Sequence, residues 1–147
     1  MTRSNRTLTQ FAVDSLSDFV RAPSVFTETR GNTTVSVHMD KFTQELTFQV
    51  FLFEISIFEL SSQCLIVRNG GFFDSKGRPS RTTRERLNGL LDTAGALSLI
   101  PNGVRLFLGH DGQRETCFVG KETTLGTLDS QHPDRVVVRN HLQLLLF

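Results

Sequence analysis

The residues from Ser75 to Asn88 hold the densest group of side chains able to do recognition chemistry. Lys76, Arg78, Arg81, Arg84 and Arg86 put five positive charges within eleven residues, and Glu85 removes one. Guanidinium forks beside the free N–H groups of a helix start suit phosphate or carboxylate. Thr82 and Thr83 stand at such a start, and Thr82-x-x-Glu85 fits a capping box, in which hydroxyl and carboxylate satisfy each other's backbone donors. The candidate partner-binding or anion-binding residues are therefore Lys76, Arg78, Arg81, Thr82, Thr83, Arg84 and Arg86. An acidic protein surface is the first partner that such an edge would fit. Nucleic acid is the second, because Lys76-Gly77-Arg78-Pro79 is similar to the Gly-Arg-Pro centre of minor-groove hooks. The plain alternative is a solvated loop, since arginines at a helix start oppose its macrodipole. A net charge of +1 and the absence of Tyr and Trp for base stacking count against nucleic acid.

Other chemistry is thinly supplied. Cys117 with His110 and Asp111 would make a nucleophile, base and orienter if the fold joined them, but Cys117 lies in an apolar strand-like run where packing is the ordinary role. His38, His110, His132 and His141 show no metal-ligand spacing, and Cys64 and Cys117 form no Cys-x-x-Cys pair. No phosphate-binding Gly-x-x-x-x-Gly-Lys-Ser/Thr loop occurs. The expectation is a non-enzymatic protein without cofactor or metal. The two cysteines are expected to be reduced.

These residues must be positioned by a mixed framework. Leu87, Leu90, Leu91 and Ala94 recur at helical spacing, which predicts an amphipathic helix over 82–94, closed by Gly95. Gly89 falls on its polar side, as a tolerated defect or a point where something approaches the helix backbone. Before it the period is two. Val35, Val37 and Met39 mark one strand, and Leu46, Phe48, Val50 and Leu52 a second, with Lys41–Glu45 as the hairpin loop. The alternation changes phase around Phe51–Phe53, which predicts a bulge or break before Ile55–Leu60. Cys64–Arg68 follows across Ser61-Ser62-Gln63, and Asn69-Gly70-Gly71 closes it. Val104–Val119 is expected as a hairpin around Asp111-Gly112, Lys121–Asp134 as a loop and Arg135–Phe147 as a terminal strand. Residues 1–32 are expected as an arm or short helix around Val13, Leu16 and Val20, and 33–147 as one α+β domain with a mostly antiparallel sheet of about six to eight strands.

The pattern Ile55–Phe58, Leu65–Gly70, Phe72-Phe73 and Ser80-Arg81-Thr82-Thr83 before a helix resembles small uncharacterised domains encoded by bacteriophages and other mobile elements. The resemblance spans roughly residues 55–120. It implies a viral or mobile-element origin and a location in the host cytoplasm. A host protein is the expected partner, with inhibition of a defence or regulatory system as the expected role. The family has no established activity, so no catalytic residues follow from it.

Thirteen Phe with no Tyr or Trp leave aromatic surface without polar handles. Strand parity sets Phe48 opposite Phe51 and Phe53, so both sheet faces are covered or one is an apolar patch. That face, or the terminal Leu142–Phe147 run, would serve a homo-oligomer. The polar first ten residues lack a secretory pattern and no run is long enough to cross a membrane, so a soluble cytoplasmic protein is expected.

Overall fold

Two rows of apolar side chains run across four adjacent strands and hold the sheet together. Val35, Val50, Phe58 and Val67 form one row, and Val37, Phe48, Leu60 and Leu65 the next, all of them buried. Directly opposed residues lie on one face of a sheet, so the period-two pattern delivers a continuous apolar surface. The structure, a computed structural model, describes residues 3–61, 64–68, 70–75 and 79–97 and four short strands beyond them. Its elements are α1 (Arg3–Arg21), β1 (Phe26–Arg30), β2 (Thr33–Met39), β3 (Leu46–Leu52), β4 (Ile55–Leu60), β5 (Cys64–Arg68), α2 (Arg81–Ala96), β6 (Val104–Arg105), β7 (Glu122–Leu128), β8 (Val136–Val138) and β9 (Leu145–Leu146). The main sheet is antiparallel with the order β1-β2-β3-β4-β5-β7-β8, and β6 pairs with β9 separately. The protein is an α+β domain with a mostly antiparallel sheet.

Both described helices cover the same face of that sheet. Phe11, Ala12 and Leu16 of α1 and Leu87, Leu90, Leu91 and Ala94 of α2 join the strand rows in one core. Phe48 lies at its centre, against Phe19 and edge-on to Phe58. The opposite face carries hydrogen-bonded polar side chains. Gln49 donates to Glu59 and Ser56, Arg68 donates to Ser56, and Arg68 pairs with Glu59. The Phe set therefore divides: Phe48 and Phe58 are core, Phe51 is half-buried and Phe53 is exposed.

Several expectations shift. The phase change has two causes: a tight turn at Phe53-Glu54 and a bulge at Ile57, where Val50 faces Phe58 but Phe51 faces Ser56. The segment 121–134, expected as a loop, contains β7, whose Thr-rich Glu122–Leu128 lacks apolar alternation yet pairs with β5 across a second register shift. The N-terminal helix is not short; α1 runs through nineteen residues. Segment 26–30 is a strand, turned into β2 by Gly31-Asn32, where Gly31 alone has positive φ, as a type II′ hairpin requires. The Asp111-Gly112 turn, Cys117, His110, His132 and His141 lie outside the described residues, as do Lys76 and Arg78.

Gly89 marks the closest approach of the helices. A Cβ built there would lie 2.7 Å from Thr9 Cγ2 on α1, inside any normal contact. On propensity alone, Gly89→Ala would stabilise by about 1 kcal/mol. We expect instead a net loss of about 1–2 kcal/mol in urea unfolding, because α1 must move away and overpacking outweighs propensity. A gain in stability would mean that α1 does not pack on Gly89.

Candidate functional site

Where α2 begins is decided by Ser80. Its backbone N–H donates to the Phe72 carbonyl at 2.8 Å, and Phe73 bridges to the buried Pro79, so the chain enters the helix at a set angle. The Ser80 hydroxyl then accepts the Thr83 N–H at 3.3 Å, and the Ser80 carbonyl accepts the Arg84 N–H at 2.9 Å. Ser80 is the N-cap. The capping box expected at Thr82-x-x-Glu85 is therefore displaced by two residues. Thr83 is buried, its hydroxyl 2.9 Å from that of Ser80 and packed over Gly70, where a Cβ would come within 3.1 Å of it. Thr82 is half-buried, and Thr83 has a capping and packing role.

The arginines divide in the same way. Arg81 is 70% exposed and donates to Glu85 at 2.9 Å one turn on. Arg84 lies 3.6 Å from Asp74. Arg86 is buried completely, which removes it from any edge facing an anion. Its Nη1 donates to the Asn5 carbonyl at 3.0 Å and to the Thr9 hydroxyl at 2.5 Å, and its Nη2 donates to Asn32 Oδ1 at 3.3 Å. Its Nε has no hydrogen-bond partner among the described residues. Burial pushes the Arg86 pKa down to about 10, with Glu85 opposing the shift. The side chain thus keeps its charge at neutral pH. Because the folded value is depressed below that of a free guanidinium, unfolding takes up protons from about pH 10 up to the pH at which the free guanidinium also loses its own. Stability from this group rises across that window and is flat below it.

Glu85 is drawn into the same junction, accepting from both Asn5 and Arg81. A cleft of about 210 Å³ lies above these residues, lined by Ser4, Asn5, Leu8, Asn32, Arg81, Thr82 and Glu85. It falls short of the ~300 Å³ at which small-molecule sites begin. Among the described residues no group of three His, Cys, Asp or Glu could hold a metal. No described helix is long and apolar enough to cross a membrane.

The surface that stands out is apolar, and the charge pattern did not reveal it. Phe53 is 59% exposed, Phe73 54%, Phe72 41% and Ile55 40%, all at the end of the sheet beside the α2 start. Phe53 and Phe72 meet edge to face with ring centroids 5.5 Å apart. Phe53 and Glu54 both have positive φ, +48° and +69°, as the central residues of the turn from β3 to β4. That type I′ turn is normally Asn-Gly, because side chains such as Phe are strained there. One hydrogen bond steadies it, from the Phe53 N–H to the Asn32 carbonyl at 2.9 Å. The sequence signal for this site was a hairpin with the wrong turn residues next to a Phe-Phe pair.

We expect Arg86→Ala to lower unfolding free energy by about 3 kcal/mol or more, because it leaves a cavity and three acceptors without their donor. Arg81→Ala should cost no more than about 1 kcal/mol as an exposed pair. Equal costs in chemical denaturation would contradict the division between a buried tie and a surface pair.

No protein-family model, curated protein or solved structure matches this chain.

Proposed function

We propose that the protein is a non-enzymatic protein-binding module whose partner docks on Phe53, Ile55, Phe72 and Phe73. The observation that carries this reading is Phe53: a large aromatic side chain, 59% exposed, in a backbone conformation that costs energy. Folding alone gains little from such a residue, since Asn-Gly makes the same turn without strain. A partner that buries the ring supplies the missing gain, and clustered aromatic side chains are the usual anchors of interfaces. Arg81 stands at the α2 start beside this surface and supports an acidic group at the partner's rim.

The basic edge contributes less than its sequence suggests. Of its arginines in the described residues, Arg86 is buried and Arg84 is paired with Asp74, which disfavours a row of phosphate contacts. The Ser80-x-Thr82-Thr83 pattern behind the resemblance to phage and mobile-element domains is accounted for by helix capping. A host-protein partner and an inhibitory role belong to the proposal through that resemblance.

Phe53→Asn combined with Glu54→Gly separates strain from use. The variant should gain about 1–2 kcal/mol of stability in urea unfolding, from relief at two positive-φ positions. It should also fail to retain proteins that the unaltered chain captures from a cell extract. Phe73→Ser should lose the same proteins without changing the turn. Unchanged stability would remove the strain argument, and unchanged capture by both variants would place binding elsewhere.

A further inference from the structure

The outer edge of β1 ends the main sheet, and every residue after Phe26 in it is exposed. The two-residue loop Gly31-Asn32 makes Arg30 and Thr33 the hydrogen-bonded pair that closes the hairpin. Alternation then turns the backbone groups of Glu28 toward β2, and those of Thr27 and Thr29 outward. Among the described residues, no strand pairs with that outward edge. Natural edges of this kind are usually blunted by charged side chains or Pro, and charges deter a second copy only where the register cannot set opposite signs face to face. Here one charge of each sign flanks Thr29: Glu28 and Arg30 lie on one face, 2.5 Å apart at their heads.

We propose that β1 pairs antiparallel with β1 of a second copy of this chain, about a two-fold axis through Thr29. In that register Thr29 faces Thr29 as a hydrogen-bonded pair. Glu28 faces Arg30 of the other copy at the two flanking positions, where opposed side chains come closest. A two-fold through Glu28 would oppose two carboxylates instead, and it is disfavoured on charge. The hydroxyls of Thr27 and Thr29 lie on the sheet face away from the helices, already bonded to Ser36 at 3.2 Å and Thr34 at 2.8 Å. On the other face the Arg30 guanidinium stacks over Phe11 of α1 at 4.5 Å. The near-neutral chain, at +1, adds little repulsion between copies. This pairing is independent of the Phe53 surface.

Sedimentation equilibrium of the full chain over a concentration series tests it. The unaltered chain should show a monomer–dimer equilibrium. Thr29→Pro removes an outward N–H and the exposed hydroxyl bond to Thr34 while leaving the ladder to β2 intact, and Glu28→Arg places like charges opposite each other. Each should weaken the dimer at least tenfold, while the melting temperature of dilute Thr29→Pro stays near that of the unaltered chain. Exchanging both charges, Glu28→Arg with Arg30→Glu, should restore the dimer. A chain that stays monomeric to millimolar concentration would overturn the proposal, as would a dimer indifferent to Thr29→Pro. Failure of the exchanged pair to restore association, with the fold intact by circular dichroism, would overturn the register.

Discussion

A single buried guanidinium governs how the two helices meet the sheet. Arg86 leaves α2 and reaches neutral acceptors on α1 and on the turn between β1 and β2. A buried charge without a hydrogen-bonded carboxylate is costly to desolvate. That cost is offset only when several acceptors converge, so the junction has few alternative arrangements. Gly89 is part of the same constraint. Only a residue without a side chain lets Thr9 come close enough to α2 for its hydroxyl to accept from Arg86.

The constraint extends to the surface proposed for binding. Asn32 holds Arg86 with its side chain and accepts the Phe53 N–H with its carbonyl. Phe53 packs on Phe72, and the Phe72 carbonyl accepts the N–H of Ser80, which caps α2. The contacts thus form a closed ring from α2 through Asn32, Phe53, Phe72 and back to α2. The ring explains how strained backbone at Phe53 persists: the Asn32 carbonyl fixes its N–H and Phe72 packs on its ring. It also joins the core to the exposed aromatic surface, so the surface proposed for binding rests on residues that hold the core.

Much of the framework was legible in the sequence because it follows short-range pattern. β2 to β5 coincide with their apolar alternation, and α2 extends its expected span by only one or two residues at each end. What was missed depends on partners distant in sequence. Arg86 reads as a surface cation because its acceptors lie more than fifty residues away, although its place four residues before Leu90 sets it beside the apolar stripe. Gly89 faces α1 rather than solvent, which a one-faced helix pattern cannot show. The cap moved from Thr82 to Ser80 because Phe72 and Pro79 steer the incoming chain. β1 had a readable signal in Gly31-Asn32, a turn pair between two Thr-rich runs. β7 had none beyond Thr content, since its place comes from pairing with β5.

The central claim is that Arg86 positions the Phe53 turn through Asn32, and residue-resolved amide hydrogen exchange tests it directly. Arg86→Lys keeps the charge but loses the fork that reaches Asn32. The account predicts faster exchange at the Phe53 amide in that variant, with protection kept at Val67 in the sheet centre. Protection at Phe53 unchanged while Val67 loses its own would contradict it, because Arg86 would then support the core alone.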